Sequence, residues 1–186
     1  MTQSTLLILM AIGLVAVLAV TALVILRGRR TKRLRAQFGP EYTHAVYESG
    51  RGKAEADLRS REKHVAKLTL KPLTASDRAF YVASWRKVQA QFVDDPNTAV
   101  VEADRLLGAV MTACGYSVSA FEQRSADVSV DHPQVVENYR AAHEVAVRNA
   151  RGEASTEDLR GALIHYRTLF EDLAGVAEAS VATAAE

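Results

Sequence analysis

Residues 6–26 read LLILMAIGLVAVLAVTALVIL, and this stretch decides the first element of the fold. Its 21 residues carry no charge, and Thr21 has the one polar side chain among them. A helix of this length extends about 31 Å, which matches the bilayer hydrocarbon core of about 30 Å. Lipid offers no partner to an unpaired backbone group, so a helix is the favoured conformation. The stretch therefore predicts a transmembrane helix over 6–26.

A basic cluster follows the apolar stretch directly and indicates its orientation. A cleavable signal peptide carries basic residues before its apolar run, but residues 1–5 (MTQST) contain none, so the pattern favours an uncleaved anchor. Cytoplasmic flanks carry the Lys and Arg excess, so we expect 1–5 to be extracytoplasmic and the remainder cytoplasmic. The cluster comprises Arg27, Arg29, Arg30, Lys32, Arg33 and Arg35.

The basic cluster allows two roles at the membrane. The first is a stop-transfer signal, which needs nothing beyond the charges themselves. The second is a patch that attracts anionic lipid. Nucleic acid is not an expected partner, because the cluster adjoins the bilayer and the chain behind it holds 17 basic and 22 acidic residues.

Composition and motifs exclude several classes of protein. The single cysteine, Cys114, rules out an intramolecular disulfide framework and a Cys-rich zinc site, and we expect it to be a buried apolar residue. The sequence contains no phosphate-binding loop, no dinucleotide-binding glycine motif, no nucleophile elbow and no H-E-x-x-H. We therefore expect no cofactor, no bound metal and no defined catalytic activity.

The rest of the chain divides by composition. Residues 27–38 continue as a basic juxtamembrane helix, which Gly39-Pro40 should stop. Residues 39–73 are highly charged with a thin apolar edge, which favours an exposed helical stalk or a partner-facing helix. A helical bundle over 74–174 and a flexible Ala-rich tail over 175–186 complete the prediction.

Capping signals and apolar spacing predict about five helices in the bundle. Apolar residues recur at helical spacing, and no alternating strand pattern competes with them, so the fold class is all-α. Helices are expected at about 75–93, 96–114, 120–128, 133–150 and 156–174. The N-cap signals are Thr74 with Asp77, Asp95 before Pro96, Ser119 with Glu122, Asp131 before Pro133 and Gln134, and Ser155 with Asp158.

Four polar residues form the one candidate site for metal binding or acid–base chemistry: Asp131, His132, His143 and His165. His143 lies on an apolar stripe, so a buried and hydrogen-bonded core histidine is the simpler interpretation. Glu171 and Asp172 lie near a helix C-terminus, where acids are unfavourable. Either that helix continues through Glu178, or the two acids face a basic partner such as the 27–35 cluster.

Four strings carry a resemblance that covers nearly the whole chain. FGPEY (38–42), QFVDDP (91–96), SVDHPQVVENYRAAH (129–143) and TEDLRGALIHYRTLF (156–170) resemble a family of uncharacterised bacterial single-span membrane proteins. The resemblance implies a bacterial inner-membrane location and no established activity, so it assigns no catalytic residue. Where such proteins often have Gly-Tyr-Pro, this chain has GYS at 115–117, which leaves the stiffness of that turn open.

These features favour a membrane-anchored cytoplasmic interaction module, an adaptor or accessory subunit of a membrane assembly, with a protein partner at the membrane. Tethering raises the effective concentration of such a module near other membrane proteins. One alternative is a regulator that senses anionic lipid through the basic cluster. The other is a small metal-dependent or hydrolytic enzyme that uses His132, His143 and His165.

Overall fold

The computed structural model describes residues 3–117 and 119–175. Within them all regular secondary structure is α-helical, which confirms the all-α fold class. The predicted tail lies outside the described residues apart from Gly175, which caps the last helix. The helices are α1 (Gln3–Ser49), α2 (Arg51–Val65), α3 (Ala75–Asp94), α4 (Pro96–Ala113), α5 (Phe121–Asp131), α6 (Val136–Ala150) and α7 (Thr156–Ala174).

α1 contains the predicted membrane span. It is long and apolar enough to cross a membrane, and no other described helix meets that test. The described side chains between residues 10 and 26 are exposed, as an apolar surface that faces lipid would be. The helix continues from there through the basic cluster to Phe38 with helical backbone angles.

Gly39 interrupts α1 and reverses the chain. Its backbone angles, φ 47° and ψ −120°, are non-helical, and Pro40 follows it inside the same assigned helix. The Arg51 guanidinium lies 2.7 Å from the Thr31 hydroxyl. A straight helix would place Ser49 about 27 Å beyond Thr31, so residues 40–49 must return alongside the preceding segment. The predicted break at Gly39-Pro40 is confirmed, and a short returning helix follows it at once.

The reversal buries the thin apolar edge of α2. Ala54 and Leu58 are fully buried, and they pack with side chains from both parts of α1 and with Val130 of α5. Residues 39–73 were expected to form an exposed stalk or a partner-facing helix, and the exposed stalk is wrong for α2. The side chains that cover its apolar edge come from both sides of Gly39: Leu34 and Phe38 before it, and Tyr42 and Ala45 after it.

The larger core lies among α3, α4, α6 and α7. α4 contributes most to it, since its inner face from Ala99 to Met111 is buried. Trp85 of α3 stacks on Phe170 of α7 with ring centroids 5.0 Å apart. α5 joins the two cores because it contacts α1 and α2 on one side and α6 on the other.

Three of the predicted caps are confirmed. Thr74 accepts a hydrogen bond from the Asp77 backbone N–H, and Asp95 accepts one from Thr98. Ser155 and Asp158 form a reciprocal capping box at the start of α7. The bounds of α3, α4 and α7 therefore agree with prediction to within one residue.

Two predicted caps are wrong. α5 begins at Phe121 with Ala120 at its N-cap and no side-chain cap, so Ser119 lies one residue before the capping position. Asp131 is the last residue of α5 rather than the cap of the next helix. Its carboxylate accepts from the Tyr116 hydroxyl at 3.3 Å, so α6 starts only at Val136.

The turn after α4 is fixed by glycine. Gly115 has φ 95°, and a Cβ there would lie 2.3 Å from the Thr69 carbonyl oxygen. The Tyr116 backbone N–H closes the helix end on the Met111 carbonyl at 3.0 Å. Backbone contact thus restrains this turn without a proline at position 117.

Candidate functional site

The structure brings two of the four predicted polar residues together. Asp131 and His132 line an open cleft of about 480 Å³ between the end of α5, the turn after α4 and the end of α7. The His132 Nδ1 atom contacts the Asp172 carboxylate. Of the two alternatives for the acids near the end of α7, continuation of the helix through Glu178 is wrong, because α7 ends at Ala174. The two acids do face basic residues, but these are His132 and Arg167 rather than the 27–35 cluster, and Arg167 donates to the Glu171 carboxylate at 2.6 Å.

The other two histidines have partners elsewhere. His143 stacks on Phe121 with ring centroids 3.6 Å apart. The His165 Nδ1 atom lies 3.0 Å from the Asn138 amide oxygen. Across 3–117 and 119–175, no three His, Cys, Asp or Glu side chains group closely enough to hold a metal ion. The histidines therefore do not meet at one centre in the described part of the chain.

The cleft does contain the residue types of a cysteine hydrolase, namely Cys114, His132 and Asp172. Burial raises the pKa of the Cys114 thiol, whereas a nucleophilic cysteine needs a lowered pKa. The Lys71 charge at the same cleft opposes this rise without reversing it. The hydrogen-bond partner of His132 is the Asp172 carboxylate rather than the thiol, so the described residues do not pair Cys114 with a base.

A partly buried polar network lies against the larger core, and the sequence analysis missed it. The Tyr166 hydroxyl donates to the Asp104 carboxylate at 3.0 Å, and Arg124 donates to the Tyr139 hydroxyl at 3.3 Å. The His143 Nδ1 atom is 3.6 Å from Asp104, beyond hydrogen-bond distance. The signal that could have revealed the network is Asp104 itself, one turn after Val100 on the apolar face of α4.

Burial and pairing set the pKa values in this network. Burial opposes ionisation of Asp104, but His143 and the Tyr166 hydroxyl outweigh it and lower the pKa of that carboxyl. Burial, with the Asp104 charge added, raises the pKa of Tyr139 to about 12 and raises the pKa of Tyr166 further. Near neutral pH, Asp104 therefore stays ionised and the two tyrosines stay neutral.

Comparison with protein-family models, with curated proteins and with solved structures finds no match for this chain. The resemblance to uncharacterised single-span proteins therefore stays a prediction.

A second buried polar cluster fastens the two cores together. Arg140 of α6 donates two hydrogen bonds to the Glu41 carboxylate, at 2.6 and 2.8 Å, and Arg61 of α2 donates a third at 2.7 Å. The Glu41 side chain is only 2% exposed. Burial opposes its ionisation, but the two arginines outweigh that effect and lower the pKa of Glu41. The sequence analysis missed this cluster because its members are far apart in the chain.

The residues of the basic cluster lie in different surroundings. Arg33 pairs with Glu62 at 3.0 Å, and the Arg35 guanidinium lies 5.2 Å from the centre of the Tyr42 ring. Arg27 and Arg30 instead line a groove of about 610 Å³ against the first turns of α2. The cluster is therefore not one uniform patch.

An exposed groove of about 470 Å³, lined by both apolar and polar side chains, lies between α3 and α4. Phe80 stands at its edge with 65% of its surface exposed, in edge-to-face contact with Tyr81. Two helical rows line the groove: Phe80, Ser84, Lys87 and Gln91 on α3, and Thr98, Glu102, Arg105 and Ala109 on α4. We call this surface the α3/α4 groove.

Proposed function

We propose that this protein is a membrane-anchored helical interaction module, an adaptor or accessory subunit that binds a protein partner beside the membrane. In this proposal residues 6–26 form the span and the packed helices α2–α7 form the cytoplasmic module. The observation that carries the proposal is the exposed Phe80 at the α3/α4 groove.

The shape and length of the α3/α4 groove suit a helix. The row from Phe80 to Gln91 extends over eleven helical steps, or about 16 Å, which three turns of a partner helix would cover. The groove centre is apolar, with Val88 and Leu106 at its floor. An amphipathic helix in an apolar groove is a recurrent mode of recognition.

The charged side chains at the edges of the groove indicate what kind of helix would bind there. Lys87 has no ion-pair partner among the described residues, whereas Arg105 is held by Glu102 at 2.6 Å. A helix with an acidic residue beside its apolar stripe would pair with Lys87. We therefore propose an amphipathic helix with an acidic edge, contributed by another protein of the same membrane.

Site-specific photocrosslinking of the full chain in its own membrane tests this proposal. A benzophenone side chain at position 80 or 84 should capture the same stoichiometric partner, because both positions line the groove. Ile164 provides the matched control, since it is apolar and 58% exposed on α7. Equal capture at 164, or a full chain that purifies at native level with no partner, would contradict the proposal.

The enzyme alternative has weaker support, because the three histidines have three different partners. Its test is replacement of His132, His143 and His165 by Asn in the full chain. If the variant folds and loses a cellular phenotype while partner capture at position 80 persists, the enzyme alternative gains over the interaction module.

A further inference from the structure

We propose that the groove between the juxtamembrane part of α1 and the start of α2 binds the phosphate of an anionic phospholipid headgroup. Four guanidinium groups line it, from Arg27, Arg30, Arg51 and Arg59, together with one carboxylate, Glu55. We call it the arginine groove. It is a binding site in addition to the α3/α4 groove and does not depend on a protein partner.

The chain reversal at Gly39 creates the arginine groove. It returns the start of α2 to the level of Thr31, where the Arg51 guanidinium donates to the Thr31 hydroxyl at 2.7 Å. Arg59 lies about two turns further along α2, where its Nε donates to the Glu55 backbone carbonyl at 2.8 Å. Two segments more than twenty residues apart therefore contribute to one cationic surface.

The single acid of the groove already accepts three hydrogen bonds, all at its Oε1 atom. The Glu55 carboxylate accepts from the Thr31 and Tyr42 hydroxyls at 2.8 and 3.0 Å and from Arg51 Nε at 3.0 Å. Burial opposes its ionisation, but these hydrogen bonds outweigh it and lower the pKa of Glu55. Glu55 thus holds the floor of the groove and offsets the charge of Arg51.

Three guanidinium charges remain for a ligand. Arg27, Arg30 and Arg59 have no carboxylate partner within the described part of the chain. Guanidinium groups match phosphate oxygens through paired N–H donors, and several together favour an anion with more than one charged oxygen. Arg27 directly follows the apolar stretch that ends at residue 26, so the arginine groove lies at the depth of the lipid headgroups. A phospholipid is therefore the proposed source of the phosphate.

The full chain in lipid nanodiscs provides the test. Discs of phosphatidylcholine with a minority of phosphatidylglycerol are extracted, and the lipid retained by the protein is measured by mass spectrometry. The wild-type chain should retain phosphatidylglycerol selectively. The double variant Arg27→Gln, Arg59→Gln should lose this enrichment about tenfold or more, since each basic residue near a membrane contributes roughly a fivefold factor.

A matched control removes the same charge from outside the groove. Arg29 and Lys32 belong to the same basic cluster and are exposed, but they do not line the groove. The variant Arg29→Gln, Lys32→Gln should keep most of the enrichment. Equal loss in both double variants would overturn the proposal in favour of diffuse attraction, and no loss in the Arg27/Arg59 variant would overturn it outright.

Two further measurements separate the remaining outcomes. Arg59→Gln alone leaves the stop-transfer cluster intact, so its loss of enrichment with unchanged helix content excludes a defect of insertion or folding. Inorganic phosphate added to pure phosphatidylcholine discs should not raise the melting temperature of the chain. If it does so as strongly as phosphatidylglycerol, the groove takes soluble phosphate and the lipid assignment is overturned.

Discussion

Glu41 shows at the scale of one residue how the two cores are held together. A carboxylate is rarely buried unless it is paired. Two arginines from different helices satisfy it, at 2.6–2.8 Å, so the returning segment of α1 is joined to both α2 and α6. Removal of one member of such a cluster leaves the others uncompensated.

We therefore expect Glu41→Gln to lower the free energy of unfolding by about 3 kcal/mol. Chemical denaturation of the full chain in detergent measures the change. Glu48→Gln is the matched control, because Glu48 is exposed and pairs only with His44 at 3.6 Å. A control loss as large as that of Glu41→Gln would show that the buried cluster is not the cause.

The Glu41 cluster also predicts an acid dependence. The pKa of Glu41 is lowered from its ordinary value of 4.5, so its folded form holds the proton less tightly than its unfolded form. Its contribution to stability is complete above 4.5 and is lost as pH falls through the lowered folded pKa. The free energy of unfolding should thus fall less steeply below pH 4.5 in Glu41→Gln than in the wild-type chain. Equal slopes would exclude this carboxyl as the source.

At the scale of the helices, capping separates two serines that look alike in sequence. Ser155 accepts from the Asp158 backbone N–H at 3.2 Å, whereas Ser119 caps nothing. Ser155→Ala should cost about 1 kcal/mol of unfolding free energy, and Ser119→Ala should be neutral within about 0.5 kcal/mol. Thermal unfolding of the two variants side by side decides the matter, and a larger effect at Ser119 would contradict the assignment.

The reversal of α1 depends on a backbone conformation that only glycine adopts readily. Gly39→Ala should destabilise the chain by about 1–2 kcal/mol, since φ is positive there. Gly52→Ala is the control, because it lies in α2 with nothing within 4 Å of an added Cβ, and it should be neutral or slightly stabilising. Hydrogen exchange at the α2 amides should increase in the first variant alone. Unchanged exchange there would mean that the reversal does not need Gly39.

Local signals predicted three of the five helix starts. Thr74, Asp95 and Ser155 each cap a residue three positions later, as their spacing indicates. Ser119 with Glu122 has the same spacing but caps nothing, because α5 begins one residue later than predicted. The cap predicted at Asp131 is wrong, because its carboxylate accepts a hydrogen bond from the Tyr116 hydroxyl, fifteen residues away in the chain. α2 was misjudged for the same kind of reason, since the side chains that bury its edge belong to a segment that only the reversal brings near.

The candidate site was the least predictable feature. The partner of His132 is forty residues away and that of His165 is twenty-seven residues away, so spacing gives no sign of either. The basic cluster was visible in sequence, but its division was not. Arg51 and Arg59 join Arg27 and Arg30 through tertiary packing, which no local pattern encodes.

At the scale of the whole molecule, the charge pattern predicts that the folded helices lie in the cytoplasm. A Cys114→Ser, Tyr47→Cys chain tests this, because Tyr47 is 92% exposed and the native thiol is buried. A membrane-impermeant maleimide should label position 47 only after the cells are opened. Labelling of intact cells would show that the folded helices lie outside the cytoplasm and would contradict the predicted orientation.

The helix runs without a break from the predicted span to Phe38, and the Glu41 hydrogen bonds hold the next residues against the folded helices. The folded helices are therefore connected directly to the predicted span. Transmembrane helices change tilt when a bilayer thickens or thins, with tilts of about 20° being ordinary. For an arm about 30 Å long, comparable to a small domain, such a tilt moves the far end by about 10 Å. If residues 6–26 span a bilayer, a change in its thickness would therefore shift the α3/α4 groove sideways along the membrane.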